Sequence, residues 1–267
     1  MDYLSALILG VIEGLTEFLP ISSTGHLILA SRLLGIEQTE FHKTFEIFIQ
    51  FGAILAVVAT YWRSLLDMEV IKRLLVAFIP TGIIGFTLYK FIKGSLIGNE
   101  VVVVWALLLG GVALIAFELL HTEKALPVDG QRPREGGDDL RSVTYGQALF
   151  IGLFQSIAIV PGVSRAAASI VGGLLAGLRR ATVVQFSFLL AVPTMAAASG
   201  YDLLKTSPSF SSEQFGLLAV GFLASFAVAL VAIRFLLRYV RRHNFIPFGI
   251  YRIVLALVFL VFVIGVY

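Results

Sequence analysis

Cysteine is absent from this 267-residue chain, which excludes disulfides, thiolate metal sites and a thiol nucleophile. Charge is scarce as well: 14% of the residues are Asp, Glu, Lys or Arg, against about 25% in soluble domains. The formal net charge of +3 is small and dispersed, so no nucleic-acid partner is expected. The opening Met-Asp-Tyr lacks a basic stretch, so no cleavable leader is expected. What fills the chain is apolar: 58% hydrophobic residues and a mean hydropathy of +0.94. The fold class is therefore an all-α integral membrane protein. About six full transmembrane helices are expected, at 45–62, 74–92, 101–120, 184–204, 215–237 and 246–267.

Two apolar stretches are interrupted. Residues 4–34 contain Pro20 and the run Ser22-Ser23-Thr24, and residues 147–178 contain Pro161-Gly162. Each half is about 15 residues, short for a hydrocarbon core of about 30 Å. Both stretches therefore read as re-entrant helical hairpins, the alternative being ordinary spans kinked by proline. Non-helical backbone at membrane depth persists only where protein or a wet cavity shelters it. A shift of 142 residues places Ala6-Leu7 on Ala148-Leu149, Gly10 on Gly152, Glu13 on Gln155 and Ser22 on Ser164. It also aligns the order of broken and intact segments. The expected organisation is a first repeat at 1–120, a hydrophilic linker at 121–144 and a second repeat at 145–267.

Charge orients this arrangement. With the termini outside, Arg63, Lys72, Arg73, Lys124, Arg132, Arg134, Arg141, Arg179, Arg180, Arg238, Arg241 and Arg242 fall on the cytoplasmic side. Arg32, Lys43, Lys90, Lys93 and Lys205 fall outside, in keeping with the positive-inside rule. An odd number of spans then separates the hairpins, which makes an inverted-topology repeat. Such repeats typically meet at a ligand site near the bilayer midplane. The linker is expected to be cytoplasmic and mobile.

The chemistry concentrates between Glu13 and His26. Glu13 and Glu17 are four apart and share a helix face. Pro20 should end that helix, and any of Ser22, Ser23 or Thr24 can cap a second one from about Gly25. A helix N-terminus suits phosphate, and ionisable groups at membrane depth are costly enough to mark function. The second hairpin adds Pro161-Gly162-Val163-Ser164-Arg165. A guanidinium there needs an anion, either phosphate or the Glu13 or Glu17 carboxylate. Arg234 and Arg252 are weaker candidates for this role, because each is near a span end, from which it can snorkel to the interface. Glu46 and Gln50 read as a helix-packing polar pair.

The motif Glu13-Gly-Leu-Thr-Glu17-Phe-Leu-Pro-Ile-Ser22-Ser23-Thr24-Gly25-His26 resembles that of the bacterial undecaprenyl-diphosphate phosphatases of the bacitracin-resistance type. So do Pro161-Gly-Val-Ser164-Arg165, Phe45-Glu46-Ile-Phe-Ile-Gln50-Phe-Gly52, Gln185-Phe-Ser-Phe-Leu-Leu-Ala-Val-Pro193 and Phe245-Ile-Pro-Phe-Gly-Ile-Tyr-Arg252. One departure is Ala166-Ala167, where the family commonly has Ser-Gly. The resemblance implies hydrolysis of a C55 polyprenyl diphosphate to the monophosphate and inorganic phosphate, which recycles the cell-wall lipid carrier. It also implies a bacterial inner-membrane location, a site facing the periplasm, and bacitracin as an indirect partner competing for the lipid.

Glu17, Ser23, His26 and Arg165 are the catalytic candidates. Glu13, Ser22, Thr24, Gly162 and Ser164 are the substrate-binding ones. Ser23 is the preferred nucleophile and needs a base, His26 or Glu17; His26 and water stay open as attacking groups, and His26 as the acid for the leaving phosphate. Glu13 and Glu17 form a close carboxylate pair, which titrates as a unit or holds Mg²⁺ or Ca²⁺. The competing reading is a transporter or flippase for a prenyl phosphate or other anionic substrate. Dense Glu, Ser and His chemistry, unnecessary for binding alone, favours the enzyme.

Overall fold

Short polar side chains start the helices. The computed structural model describes residues 1–91, 96, 99–121, 140–205 and 210–264. Asp2 accepts the Ser5 N–H at 2.8 Å before α1 (Tyr3–Thr16), and Ser22 caps α2 (Ser23–Leu33). Thr39 caps α3 (Glu40–Tyr61), which therefore begins ahead of the expected residue 45. Asp67 accepts the Glu69 N–H at 3.0 Å and extends α4 (Met68–Phe91) back from the expected 74. Asn99 caps α5 (Glu100–Leu120). Capping boxes, Thr144 with Gln147 and Ser211 with Gln214, open α6 (Tyr145–Gln155) and α9 (Ser212–Tyr239). Ser164 caps α7 (Arg165–Leu175). The remaining helices are α8 (Arg180–Lys205) and α10 (Ile246–Ile264).

Both interrupted stretches are broken as expected. α1 stops at Thr16, four residues before Pro20, because the proline ring clashes with the carbonyl at that spacing. After α6 the chain tightens into a 3₁₀ turn, Ser156–Ile159, and resumes as α7 at Arg165. Among the described residues, five helices are long and apolar enough to cross a membrane: α3, α4, α5, α8 and α9. The sixth expected span, 246–267, contributes the shorter apolar helix Ile246–Val261. Linker residues 122–139, with Lys124, Arg132 and Arg134, lie outside the described residues, as does Lys93.

The surface is apolar and the interior holds charge, the reverse of a soluble protein. Phe86, Leu120 and Val261 are more than two-thirds exposed, at 78%, 85% and 69%, whereas Glu13 and Arg252 are buried. Small residues allow close helix contact where no hydrophobic effect drives association. On α1, a Cβ at Gly14 would sit 2.5 Å from the Ser225 carbonyl of α9, and Gly10 lies against the Gly221 carbonyl. Gly52 of α3 meets the Phe222 carbonyl in the same way, at 2.5 Å. In the other half Gly152 of α6 lies against the Ala77 carbonyl of α4. The pairings thus exchange: α1 packs on α9 and α6 on α4, while α3 packs on α8 and α5 on α10.

One expectation is corrected. Arg234 is exposed and free to reach an interface, but Arg252 does not snorkel. It is 1% exposed, the largest fully buried side chain among the described residues. Its face of α10 packs on α5, so no outward route exists for the guanidinium.

Candidate active site

The two helix breaks meet inside the bundle. Ser164 Oγ, in the second break, donates to the Leu19 carbonyl of the first at 3.3 Å. Beside this contact lies a cavity of about 150 Å³, walled by Glu17, Ser22, Ser23 and Thr24 from one break and Val163, Ser164 and Arg165 from the other. Gln50, Ala158 and Met195 complete the wall. A water takes about 30 Å³ in the liquid, so the space suits a phosphoryl group and a few waters.

Both breaks end in a helix start at this cavity. The first N–H groups of α2 and α7 have no intrahelical acceptor and carry the positive end of the helix dipole. Ser164 Oγ takes the Ala167 N–H at 3.1 Å. Ser22 Oγ takes the Gly25 N–H at a longer 3.5 Å. Ser22 is the single non-glycine residue with a positive φ, 71°, among the described residues. That conformation costs on the order of 1–3 kcal/mol and clusters at functional sites. Here it aims the Ser22 carbonyl at His26 Nδ1, 2.7 Å away.

Glu17 is the hub. Its Oε2 accepts from Ser23 Oγ at 2.5 Å, and its Oε1 accepts from Arg165 Nη2 at 3.3 Å. The other arm of the guanidinium, Nη1, donates to the Ser187 carbonyl at 2.9 Å, and Nε has no partner. Ser169 secures this corner: its Oγ donates to the Arg165 carbonyl at 2.9 Å and lies 2.6 Å from Ser187 Oγ. A hydroxyl on a carboxylate, a forked cation with a spare donor, and two helix N-termini form the set phosphoryl transfer requires: nucleophile, base and charge stabilisation.

The structure thus brings Glu17, Ser22, Ser23, Thr24, Ser164 and Arg165 to one cavity. The alternative partner for Arg165, a glutamate of the first hairpin, is realised at Glu17. Glu13 lies behind the wall, fully buried, with neither carboxylate oxygen hydrogen-bonded. Its charged neighbours are Glu17, Glu46 and Arg165. Gly162 also lies behind, at φ 90°, where a Cβ would sit 2.7 Å from the Val103 carbonyl. His26 turns away from Ser23: its Nδ1 faces the Ser22 carbonyl, so its Nε2 accepts from the Tyr251 hydroxyl at 2.7 Å.

Sequence reasoning missed Gln50, which joins the cavity wall and accepts from Ser199 Oγ at 3.3 Å. Its spacing from Glu46 was the available signal, but it also fits helix packing. Glu46 itself pairs with His42 at 3.2 Å. Tyr251 and Ser187 lie within the quoted motifs 245–252 and 185–193, but neither a tyrosine nor a backbone oxygen in an apolar span stands out by residue type.

The family profile described as Bacitracin resistance protein BacA matches residues 6–258. This chain belongs to that family. Among the similar proteins, an undecaprenyl-diphosphatase of Sulfurihydrogenibium sp. (strain YO3AOP1) is 52% identical over 259 residues, covering 97% of this chain and 98% of that protein. One from Persephonella marina is 50% identical over 264 residues, covering 98% and 100%. A third, from Aquifex aeolicus, is 50% identical over 258 residues, covering 96% and 97%. The family match, over residues 6–258, spans both breaks and the stretches that wall the cavity. Ala166 and Ala167, the departure from the family pattern, are buried and do not line the cavity.

Proposed function

We infer that this BacA-family chain is an undecaprenyl-diphosphatase: it hydrolyses undecaprenyl diphosphate to undecaprenyl phosphate and inorganic phosphate. The carrying observation is the Ser23–Glu17–Arg165 chain of contacts, enclosed between two helix N-termini in an apolar bundle. Hydrolysis of this lipid returns the cell-wall carrier to use and gives resistance to bacitracin, which competes for the same diphosphate. A carrier would need the cavity but not a serine hydrogen-bonded to a carboxylate, and the relatives named above are diphosphatases, so transport is not favoured.

In this reading Glu17 takes the Ser23 proton as Oγ attacks the terminal phosphorus. The bond from that phosphorus to the bridging oxygen breaks, and undecaprenyl phosphate leaves. Glu17 passes that proton to the departing phosphate oxygen and is a carboxylate again. Water then attacks the phosphoserine, Glu17 accepts its proton and returns it to the serine oxygen, and inorganic phosphate departs. Arg165 and the α2 and α7 N–H groups hold the nonbridging oxygens. His26, engaged by Ser22 and Tyr251, orients the strained turn that presents Ser23. Glu13 and Glu17 are the residues that would hold Mg²⁺ or Ca²⁺, which would supply positive charge beside the phosphoryl site. Glu13 has both oxygens unengaged but lies behind the cavity wall, and those of Glu17 already hold Ser23 and Arg165.

The substrate's apolar tail supplies the discrimination, each buried CH₂ contributing about 0.8 kcal/mol. In detergent, where no gradient exists, purified protein is expected to release phosphate from the C55 diphosphate and to act poorly on ATP. Equal efficiency on the two would contradict the lipid assignment.

The same reading places the protein in the bacterial inner membrane with the cavity open to the periplasm and the halves related as inverted repeats. The charge asymmetry and the exchanged helix pairings support it. Single cysteines in the cysteine-free chain test it. A cysteine at Gln38 is expected to react with a membrane-impermeant reagent in cells with a permeabilised outer membrane, and one at Ser142 to be protected. Labelling at Ser142 from outside overturns the orientation.

A further inference from the structure

Arg252 is charged, fully buried and has no carboxylate among its hydrogen-bond partners. An isolated guanidinium in a low-dielectric interior is expensive, and it persists only where its donors are satisfied. Here each of the three guanidinium nitrogens reaches a backbone carbonyl. Nη1 reaches Pro20 of the first break at 3.5 Å, and Nη2 reaches Gly162 of the second at 3.1 Å and Ala106 of α5 at 2.9 Å. Nε points to Leu107 at 3.4 Å. One planar fork thus ties both broken loops to a single intact helix.

The neighbouring sequence is shaped around this fork. A Cβ on Gly110 would collide with Arg252 Nη2 and sit 2.7 Å from its Cζ. Gly111, next in α5, lies against the Gly249 carbonyl of α10, where a Cβ would be 2.7 Å away. The glycine pair lets α10 approach closely enough for the guanidinium to reach past α5 to the loops.

We propose that Arg252 is a positioning residue for phosphoryl transfer: it holds the Pro20 loop, which carries Ser23, in register with the Gly162 loop, which carries Arg165. It does not line the cavity, so it acts through those two loops and not on the phosphate. Two direct hydrogen bonds join the breaks among the described residues, Ser164–Leu19 and Arg165–Glu17, and both are long, at 3.3 Å. Arg252 adds a further tie. A misplacement of about 1 Å at a reacting pair costs roughly 10²-fold in rate, so slack between the loops appears in turnover. The inference rests on the cavity being the diphosphate site.

The test uses full-length protein in detergent and measures kcat and KM for phosphate release from undecaprenyl diphosphate, with a thermal midpoint to score the folded fraction. Arg252→Lys keeps the charge but replaces the fork by a point donor. Gly110→Ala leaves α10 untouched and displaces the fork sterically. Each is expected to lower kcat per folded molecule by roughly 10²-fold with KM changed by no more than about threefold. Combined with Ser164→Ala, the losses should couple and not add, because both contacts join the same loops. If Arg252→Lys does not fold, Gly110→Ala carries the test. Wild-type kcat per folded molecule, strict additivity, or a raised KM at unchanged kcat would each overturn the proposal, the last by making Arg252 a substrate ligand. Wild-type protein that releases no phosphate from this lipid instead overturns the assigned reaction, a distinguishable failure.

Discussion

Ser23→Ala is expected to lower kcat for undecaprenyl diphosphate by on the order of 10⁴ or more, since loss of a serine nucleophile costs about 10⁶ in a well-studied hydrolase. Ser23 Oγ is 2.5 Å from Glu17, lines the cavity and belongs to the first turn of α2, where the developing charge meets the helix dipole. Removing it abolishes the covalent route and leaves water to attack without a positioned oxygen. The neighbouring hydroxyl is the control. Ser22 contributes a long capping bond of 3.5 Å, and loss of a cap costs about 1 kcal/mol of local stability. Ser22→Ala should therefore keep turnover within about tenfold of wild type per folded molecule. Comparable losses in the two variants would transfer the role from Ser23 to the loop as a whole.

Arg165→Lys carries the second large effect. The guanidinium has two duties at once: one arm holds Glu17 and the other is anchored on the Ser187 carbonyl, with Nε left unpaired. A lysine ammonium supplies charge from a single point and cannot span both acceptors while addressing phosphate oxygens. Loss of one preorganised donor to developing charge typically costs roughly 10²–10³ in kcat, and that is the expected range here. Because Arg165 also orients the base, kcat should fall more than KM rises. A variant with near wild-type turnover would reduce Arg165 to a structural ion pair with Glu17.

Much of the site was legible from residue types alone. A segment that sets Glu13, Glu17, three hydroxyls and His26 within an apolar stretch has no structural economy, and Pro20 forces the break that exposes a helix start. The same logic brought out Pro161-Gly162 and Arg165. Helix boundaries were less legible because Thr39 and Asp67 capture backbone N–H groups several residues ahead of the apolar runs. Burial direction was illegible. Arg252 lies early in a span, where snorkelling is the ordinary outcome, and only its packing face against α5, with space left by Gly110, turns it inward. The same limit applies to His26. Its spacing from Ser23 suggested a base, but Tyr251, 225 residues away, engages the ring nitrogen that would have served.

The most direct test of a serine phosphoryl transfer in this cavity is rapid acid quench of the enzyme with diphosphate labelled on its terminal phosphorus. The account predicts transient label on the peptide carrying Ser23, lost in Ser23→Ala. Turnover with no covalent label at any time, or label on His26, would contradict it.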